Sequence, residues 1–387
     1  MESWFLGRGR SARVVFGFDD VSLVPGTVTI DPKDVDVSTA IGNVSLSIPI
    51  LGAAMDGVID PTMAKELGKW GGLGVLNLEG LFTRYIDPYA LIEELIAKPR
   101  EEVASFLQKL YREPIKEELV ARCIQDIKSR GVLAAGSVTP ARVETIGNMA
   151  LEAGLDVLVI QSTVTTLRYF SSTMRELDLQ DFCRRSMVPV VVGNCATYEV
   201  ALELMRAGAA GILVGIGPGA ACTTRAVLGI GVPQITATVD VACARDDYFK
   251  ATGRYVAVIT DGGMRVGGDI AKAIASGADA VMIGAPLACA QEAPGKGHHW
   301  GMATPDPNLP RGTLVKVGIK GTLQEILFGP SSLTDGTMNL VGALRTSMGS
   351  LGVRNIKEMQ KVEIAISPSI WNEGKFWQKV QGVGMGR

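Results

Sequence analysis

Hydrophobic positions along the chain gather into short, nearly continuous runs separated by longer amphipathic or glycine-rich stretches. The clearest repeat is an Ala-rich amphipathic segment that stops at a glycine and gives way at once to an apolar run. It occurs at Ala153-Gly154-Leu155-Asp156-Val157-Leu158-Val159-Ile160, at Ala207-Gly208-Ala209-Ala210-Gly211-Ile212-Leu213-Val214-Gly215 and at Ser276-Gly277-Ala278-Asp279-Ala280-Val281-Met282-Ile283-Gly284. Glycine suits the left-handed residue that ends a helix, and an unbroken apolar run suits a parallel strand covered on both faces. Runs at 48–54, 73–76, 132–138, 189–195 and 255–261 read the same way, which gives eight strands alternating with helices. That count predicts an α/β fold, a TIM (β/α)8 barrel, whose chemistry sits on the loops after the strand C-terminal ends. A doubly wound sheet is the alternative, but no strand opens into a well-formed G-x-G-x-x-G helix start.

Two stretches break the repeat. Residues 81–130 set charged pairs (Glu93-Glu94, Glu101-Glu102, Glu117-Glu118) between apolar positions and predict a short helical insertion between the second and third strands, read as a solvated hairpin. Residues 292–313 are proline-rich, contain both histidines, His298 and His299, and predict an irregular active-site flap. Residues 367–387 read as a weakly ordered tail, and 1–387 as one barrel domain carrying these additions.

Composition narrows the function. At 47 % hydrophobic and 20 % charged residues over 387 positions, the chain supports a sizeable core. A net charge of −2 without a basic block argues against a nucleic-acid partner. No apolar run is long enough for a membrane span, and the first residues lack the apolar stretch of a secretion signal, so a cytoplasmic protein is expected. Six scattered cysteines without a C-x-x-C pair fit a reducing compartment. Two adjacent histidines leave little from which to build a multi-histidine metal site or a Ser-His-Asp triad.

The run Gly215-Ile216-Gly217-Pro218-Gly219-Ala220-Ala221-Cys222-Thr223-Thr224-Arg225 follows the sixth strand. Glycines around a proline allow a tight turn with exposed amides and carbonyls, and Cys222 falls where a barrel loop faces substrate. Helix-start amides and Arg225 are positioned to lower the thiol pKa, the usual route to a reactive cysteine. Asp261-Gly262-Gly263 ends the seventh strand and Ile283-Gly284-Ala285 the eighth, the places where TIM barrels commonly cradle a phosphate. Asp261 is then placed to accept hydrogen bonds from a ribose diol.

In this order the motifs resemble the inosine monophosphate (IMP) dehydrogenase and guanosine monophosphate (GMP) reductase family. The resemblance runs from Phe18-Asp19-Asp20-Val21 through Ala53-Ala54-Met55-Asp56, Gly71-Gly72-Leu73-Gly74-Val75, Gly193-Asn194, the Cys222 loop and Asp261-Gly262-Gly263 to Leu344-Arg345-Thr346-Ser347-Met348-Gly349. It implies a purine mononucleotide substrate, IMP, attacked at C2 by Cys222, with hydride passing to NAD. It implies substrate contacts at Met55, Gly219, Asp261, Gly262, Gly263, Gly284, Ala285, Gly301 and Met302. Cofactor contacts are implied at Gln161, Ser162, Thr163, Asn194, Gly215 and Gly217, and Thr224 is implied beside the reacting water. The resemblance also implies a potassium ion on the main-chain carbonyls of Gly217, Gly219 and Cys222, and a homotetramer or octamer.

Insertion 81–130 stands where most members carry CBS modules, so the chain resembles the CBS-lacking branch found in cyanobacteria and actinobacteria. The flap is shorter than in the family at large and lacks its water-activating Arg-Tyr pair. Arg311 stands where GMP reductases carry an acid-base Glu, and is read here as the water activator. Ala220 and Ala285 replace phosphate-binding serines, His299 stands near a phosphate-binding Tyr, and Gln161 replaces the Asp that orients nicotinamide, from which weaker or altered NAD binding is expected. Competing readings are a GMP reductase using NADPH and a nucleotide-binding protein without turnover.

Overall fold

The structure, a computed structural model, describes residues 3–168, 177–301 and 313–366. Eight parallel strands close into a barrel: β1 (Ile50–Gly52), β2 (Leu73–Asn77), β3 (Ala135–Val138), β4 (Val157–Gln161), β5 (Val190–Cys195), β6 (Gly211–Val214), β7 (Ala257–Asp261) and β8 (Ala280–Ile283). The ring is sealed by β8 against β1, with Val281 opposite Ile50 and Ile283 opposite Gly52. All eight apolar runs of the sequence therefore contain barrel strands, most of them shorter than the run.

The continuous runs have a two-sided cause. Alternate residues such as Val157, Val159, Ala257, Ile259, Ala280 and Met282 fill the interior, capped from below by Ile41, Val44 and Leu46 of the hairpin Thr39–Ile41 and Val44–Leu46. Their neighbours, among them Leu158, Ile160, Val258, Val281 and Ile283, pack outward into the helical layer. Helix-to-strand returns use glycines at positive φ, Gly154 (94°), Gly208 (108°) and Gly277 (110°).

The insertion departs from the expected solvated hairpin. It contains helices Tyr89–Ala97, Arg100–Leu110 and Glu117–Lys128, and the last packs on Pro61–Lys69 as the barrel's own second helix. Ile92, Leu95, Val103, Leu107 and Leu110 are buried in the outer core, so apolar faces, not the glutamate pairs, decide how these helices lie. Among the described residues of the flap, 292–301 and 313, His298–His299 form a two-residue strand against Val315–Lys316. Met302, Arg311 and the tail 367–387 lie outside the described residues. No helix among the described residues is long and apolar enough to cross a membrane, and all six cysteines are free.

Candidate active site

The C-terminal ends of the strands open into a cavity of about 610 Å³, within the range of small-molecule and cofactor sites. Met55 comes from the loop after β1, Gln161, Ser162 and Thr163 from the end of β4, and Asn194 from β5. The loop after β6 contributes Gly215, Gly217, Gly219, Cys222 and Thr224; β7 contributes Asp261, Gly262 and Gly263, and β8 Gly284 and Ala285. His299 and Gly301 close one side. Every predicted site residue except Met302 and Arg311 thus lines this one cavity.

Local packing explains how the loops meet. Gly262 and Gly263 have φ of 81° and 83°, and Pro218 of the cysteine loop lies against both, so that a Cβ at 263 would fall 3.1 Å from Pro218 Cβ. A Cβ at Gly215 would strike Asp261 O at 2.5 Å. Gln234, which the sequence reading missed, is buried and braces the same corner, donating through Nε2 to Val214 O (3.1 Å) and Asp261 O (2.9 Å). A glutamine at the start of helix Gln234–Thr252 carries no sequence signal for this role.

Cys222 is exposed at the mouth, and its Sγ donates to Oγ1 of the buried Thr224 at 3.2 Å. Arg225 stands within electrostatic reach of Cys222, and its hydrogen bonds go to the loop itself. Its guanidinium donates to the carbonyls of Ile216 (3.1 Å) and Val232 (2.7 Å), and its stem fills the space beside Gly217 and Gly231. The arginine shapes the loop that carries the cysteine.

Asp261 Oδ2 accepts from Asn194 Nδ2 (2.7 Å) and Gln161 Nε2 (3.1 Å), while Oδ1 has no protein donor among the described residues. Burial pushes its pKa up to about 6, against the opposing pull of those two donors. Gln161 Nε2 also donates to Asn194 Oδ1 (3.0 Å), and Ser137 Oγ donates to Gln161 Oε1 (3.4 Å). Gln161 therefore lies at the cavity wall with its amide committed to the barrel's own polar floor. His299 is buried and both ring nitrogens lack partners among the described residues. Burial lowers its pKa to about 4, which keeps the imidazole neutral near pH 7.

A second, largely apolar cavity of about 220 Å³ adjoins the first, and Thr139 and Ser162 line both. Among the described residues no group of three His, Cys, Asp or Glu side chains is placed to hold a metal, so an ion in the cysteine loop would rest on main-chain oxygens. Such carbonyl donors fit a large monovalent cation.

Residues 15–375 match the family model described as IMP dehydrogenase / GMP reductase domain. The chain is 41 % identical over 370 residues to an uncharacterized oxidoreductase of Mycolicibacterium smegmatis, covering 93 % of this chain and 99 % of that protein. It is 30 % identical over 389 residues to inosine-5'-monophosphate dehydrogenase of Cryptosporidium parvum, covering 90 % and 92 %. The crystal structure of an IMP dehydrogenase/GMP reductase-like protein from Corynebacterium glutamicum superposes with a TM-score of 0.89 at 37 % identity, covering 94 % of this chain and 97 % of that one.

Proposed function

The chain belongs to the IMP dehydrogenase/GMP reductase family, and from that premise we propose that it oxidises IMP to xanthosine monophosphate (XMP) with NAD. The observation that carries the reading is the convergence of an exposed Cys222, hydrogen-bonded to Thr224, with the Asp261 carboxylate and the Gly263 and Gly284 turns around one nucleotide-sized cavity. Asp261 Oδ1 takes the ribose diol, and Gly263, Gly284 and Ala285, with neutral His299, take the phosphate. Met55 packs beside Gly284, where its Sδ would lie 3.0 Å from a Cβ, and supports the base.

Cys222 Sγ forms a bond to C2 of the base as the C2 hydride departs, and Thr224 Oγ1 aligns the thiol whose proton is lost. Bound NAD supplies the hydride acceptor. Ser162, Asn194 and Gly215 line the side of the cavity where the nicotinamide half rests, and the adjoining apolar cavity suits the rest of the dinucleotide. Water then attacks C2, the C–S bond breaks, and XMP leaves as the thiol regains a proton. We assign water activation to Arg311 of the flap with Thr224. An ordinary guanidinium titrates above pH 12, so this role requires strong desolvation of Arg311. The carbonyls of Gly217, Gly219 and Cys222 are the proposed potassium site.

The Cys222-Thr223-Thr224-Arg225 run also suits a GMP reductase, and one assay separates the readings. IMP, NAD and potassium should yield NADH and XMP with the wild-type protein and none with Cys222→Ala, which retains IMP binding. NADPH oxidation with GMP, and no NADH from IMP, would make the protein a reductase. Nucleotide binding without either turnover would make it a binding protein. Slower adduct hydrolysis in Arg311→Ala, read by rapid quench, is expected; an unchanged rate overturns the assignment of that arginine.

A further inference from the structure

Two tyrosines of the insertion reach the loop that follows β1. Tyr111, next to the end of helix Arg100–Leu110 and 7 % exposed, donates its hydroxyl to Asp56 Oδ2 and accepts from Trp300 Nε1 at 3.0 Å. Tyr89, the first residue of helix Tyr89–Ala97, donates to Asp60 Oδ2 at 2.6 Å. Asp56 and Asp60 bracket the segment that begins just after Met55, and Met55 lines the substrate cavity. Trp300 stands at the root of the flap, between the cavity residues His299 and Gly301.

The loop and the flap root also touch directly. Gly295 N donates to Gly57 O at 3.1 Å, and a Cβ at Gly57 would come within 2.8 Å of both the Trp300 ring and His298 O. Three segments far apart in sequence thus meet around one phenolic hydroxyl: the loop after β1, the insertion, and the flap root. A phenylalanine at 111 would fill the same apolar space. The hydroxyl adds a side-chain link between Asp56 of the loop and Trp300 of the flap root.

We propose that Tyr111 is a positioning residue for the substrate cavity, holding Met55 through Asp56 and the flap root through Trp300 in the arrangement that binds nucleotide. This rests on the nucleotide-binding reading above. It gives the insertion a task at the cavity that its charged surface does not suggest.

The charge state of Asp56 supplies a readout. Its carboxylate is fully enclosed and burial pushes its pKa up to about 6, opposed by donors from Tyr111 and Asn77 and by the charge of Arg84. Cys123 of helix Glu117–Lys128 lies within electrostatic range of it, with its thiol on the Phe82 carbonyl, and the neighbouring His299 is neutral above about pH 4. Ionised Asp56 accepts the Tyr111 hydroxyl; once protonated, it gives up the charge that makes this hydrogen bond strong. Loss of the hydroxyl removes one stabiliser of the ionised form, so the carboxyl then protonates at a higher pH.

The test compares Tyr111→Phe with Tyr85→Phe, which removes another insertion hydroxyl, one that bonds Leu110 O at 3.0 Å. IMP affinity is read by calorimetry. Trp300 emission, isolated by subtraction of a Trp300→Phe variant, is titrated through pH 6. Tyr111→Phe should weaken IMP binding about tenfold, the scale of a hydrogen bond to a charged group, while Tyr85→Phe leaves it unchanged. The Trp300 titration should have its midpoint near 6 in the wild type; in Tyr111→Phe, which cuts the relay, its amplitude should shrink and the midpoint of what remains should lie higher. Equal IMP affinity and an unmoved midpoint, with both variants melting alike, would leave Tyr111 as a packing residue and overturn the proposal. If the wild type binds no IMP, the substrate reading fails, and the Trp300 midpoint alone still decides whether Tyr111 couples Asp56 to the flap root. If Tyr111→Phe does not fold, Asp56→Asn replaces it: a Trp300 titration that persists in that variant overturns the proposal, and one that vanishes supports it.

Discussion

Asp261 sits where the charge of the cavity is decided. Its folded pKa of about 6 lies above the ordinary carboxylate value of 3.8, so it is ionised at neutral pH and protonates as pH falls through 6. Protonation removes the charge that would grip a ribose diol, and IMP affinity is expected to fall below that pH. Gln161 bears directly on this, because its Nε2 lies 3.1 Å from Asp261 Oδ2. Gln161→Asp replaces a donor with a second carboxylate, and like charges at such distance raise the pKa of one partner. The acid limb of IMP binding, followed by calorimetry against pH, should move upward by about one unit or more. An unmoved limb would mean that Asp261 does not set it. The sequence disclosed Cys222 and Asp261 because strand ends announce themselves through glycine-rich turns. It did not disclose where Gln161 points, since its partners Asn194 and Asp261 lie on other strands and only barrel closure brings them together.

Between single residues and the barrel lie the loops, and two of them behave as one unit. Pro218 of the cysteine loop rests on Gly262 and Gly263, so the turn proposed to hold phosphate also fixes the height of the loop that carries the proposed nucleophile. Gly263→Ala places a Cβ 3.1 Å from Pro218 Cβ at a φ of 83°. The backbone conformation costs about 1–2 kcal/mol for any residue with a Cβ, and relief requires Pro218 to shift. Thermal melting should fall modestly, while IMP affinity and the rate of Cys222 alkylation both change. Melting alone responding would show the two loops to be independent. Barrel strands were legible as elements because both faces are apolar, a pattern that needs no knowledge of neighbours. The insertion was misread for the opposite reason: Val103, Leu107 and Leu110 repeat at helical spacing, but the glutamate pairs between them masked an apolar stripe that packs on the barrel. The contacts of Tyr89 and Tyr111 with Asp60 and Asp56 left no local trace, because each joins residues separated by a whole β/α unit.

At the scale of the molecule, the two ends of the barrel divide stability from chemistry. Asp279, just before β8 at the end opposite the cavity, is 1 % exposed and collects Arg245 Nη1 (3.1 Å), Tyr255 hydroxyl (2.7 Å), Val258 N (2.9 Å) and Gln360 Nε2 (3.0 Å), with Lys357 alongside. This cluster ties the segment around Ile356–Met359 to the starts of β7 and β8. Asp279→Ala would leave the buried Arg245 with Asp246 and the Gly277 carbonyl as partners, so the loss should stay below the roughly 3–5 kcal/mol of a fully unpaired buried charge, and IMP affinity of the folded protein should not change. Asp261 behaves in the opposite sense. Its raised pKa means that the fold is penalised for the charge, fully so above about pH 6 and not at all below the unfolded value near 3.8. That penalty is at most about 3 kcal/mol at neutral pH. Asp261→Asn keeps an oxygen for Asn194 and Gln161 to donate to, removes the charge, and should melt at a higher temperature than the wild type while losing IMP affinity. The gain should shrink as the pH of the melt is lowered through 6. A variant that melts lower at neutral pH would mean that the Asn194 and Gln161 hydrogen bonds outweigh the cost of burial, and that the carboxylate belongs to the scaffold as much as to the site.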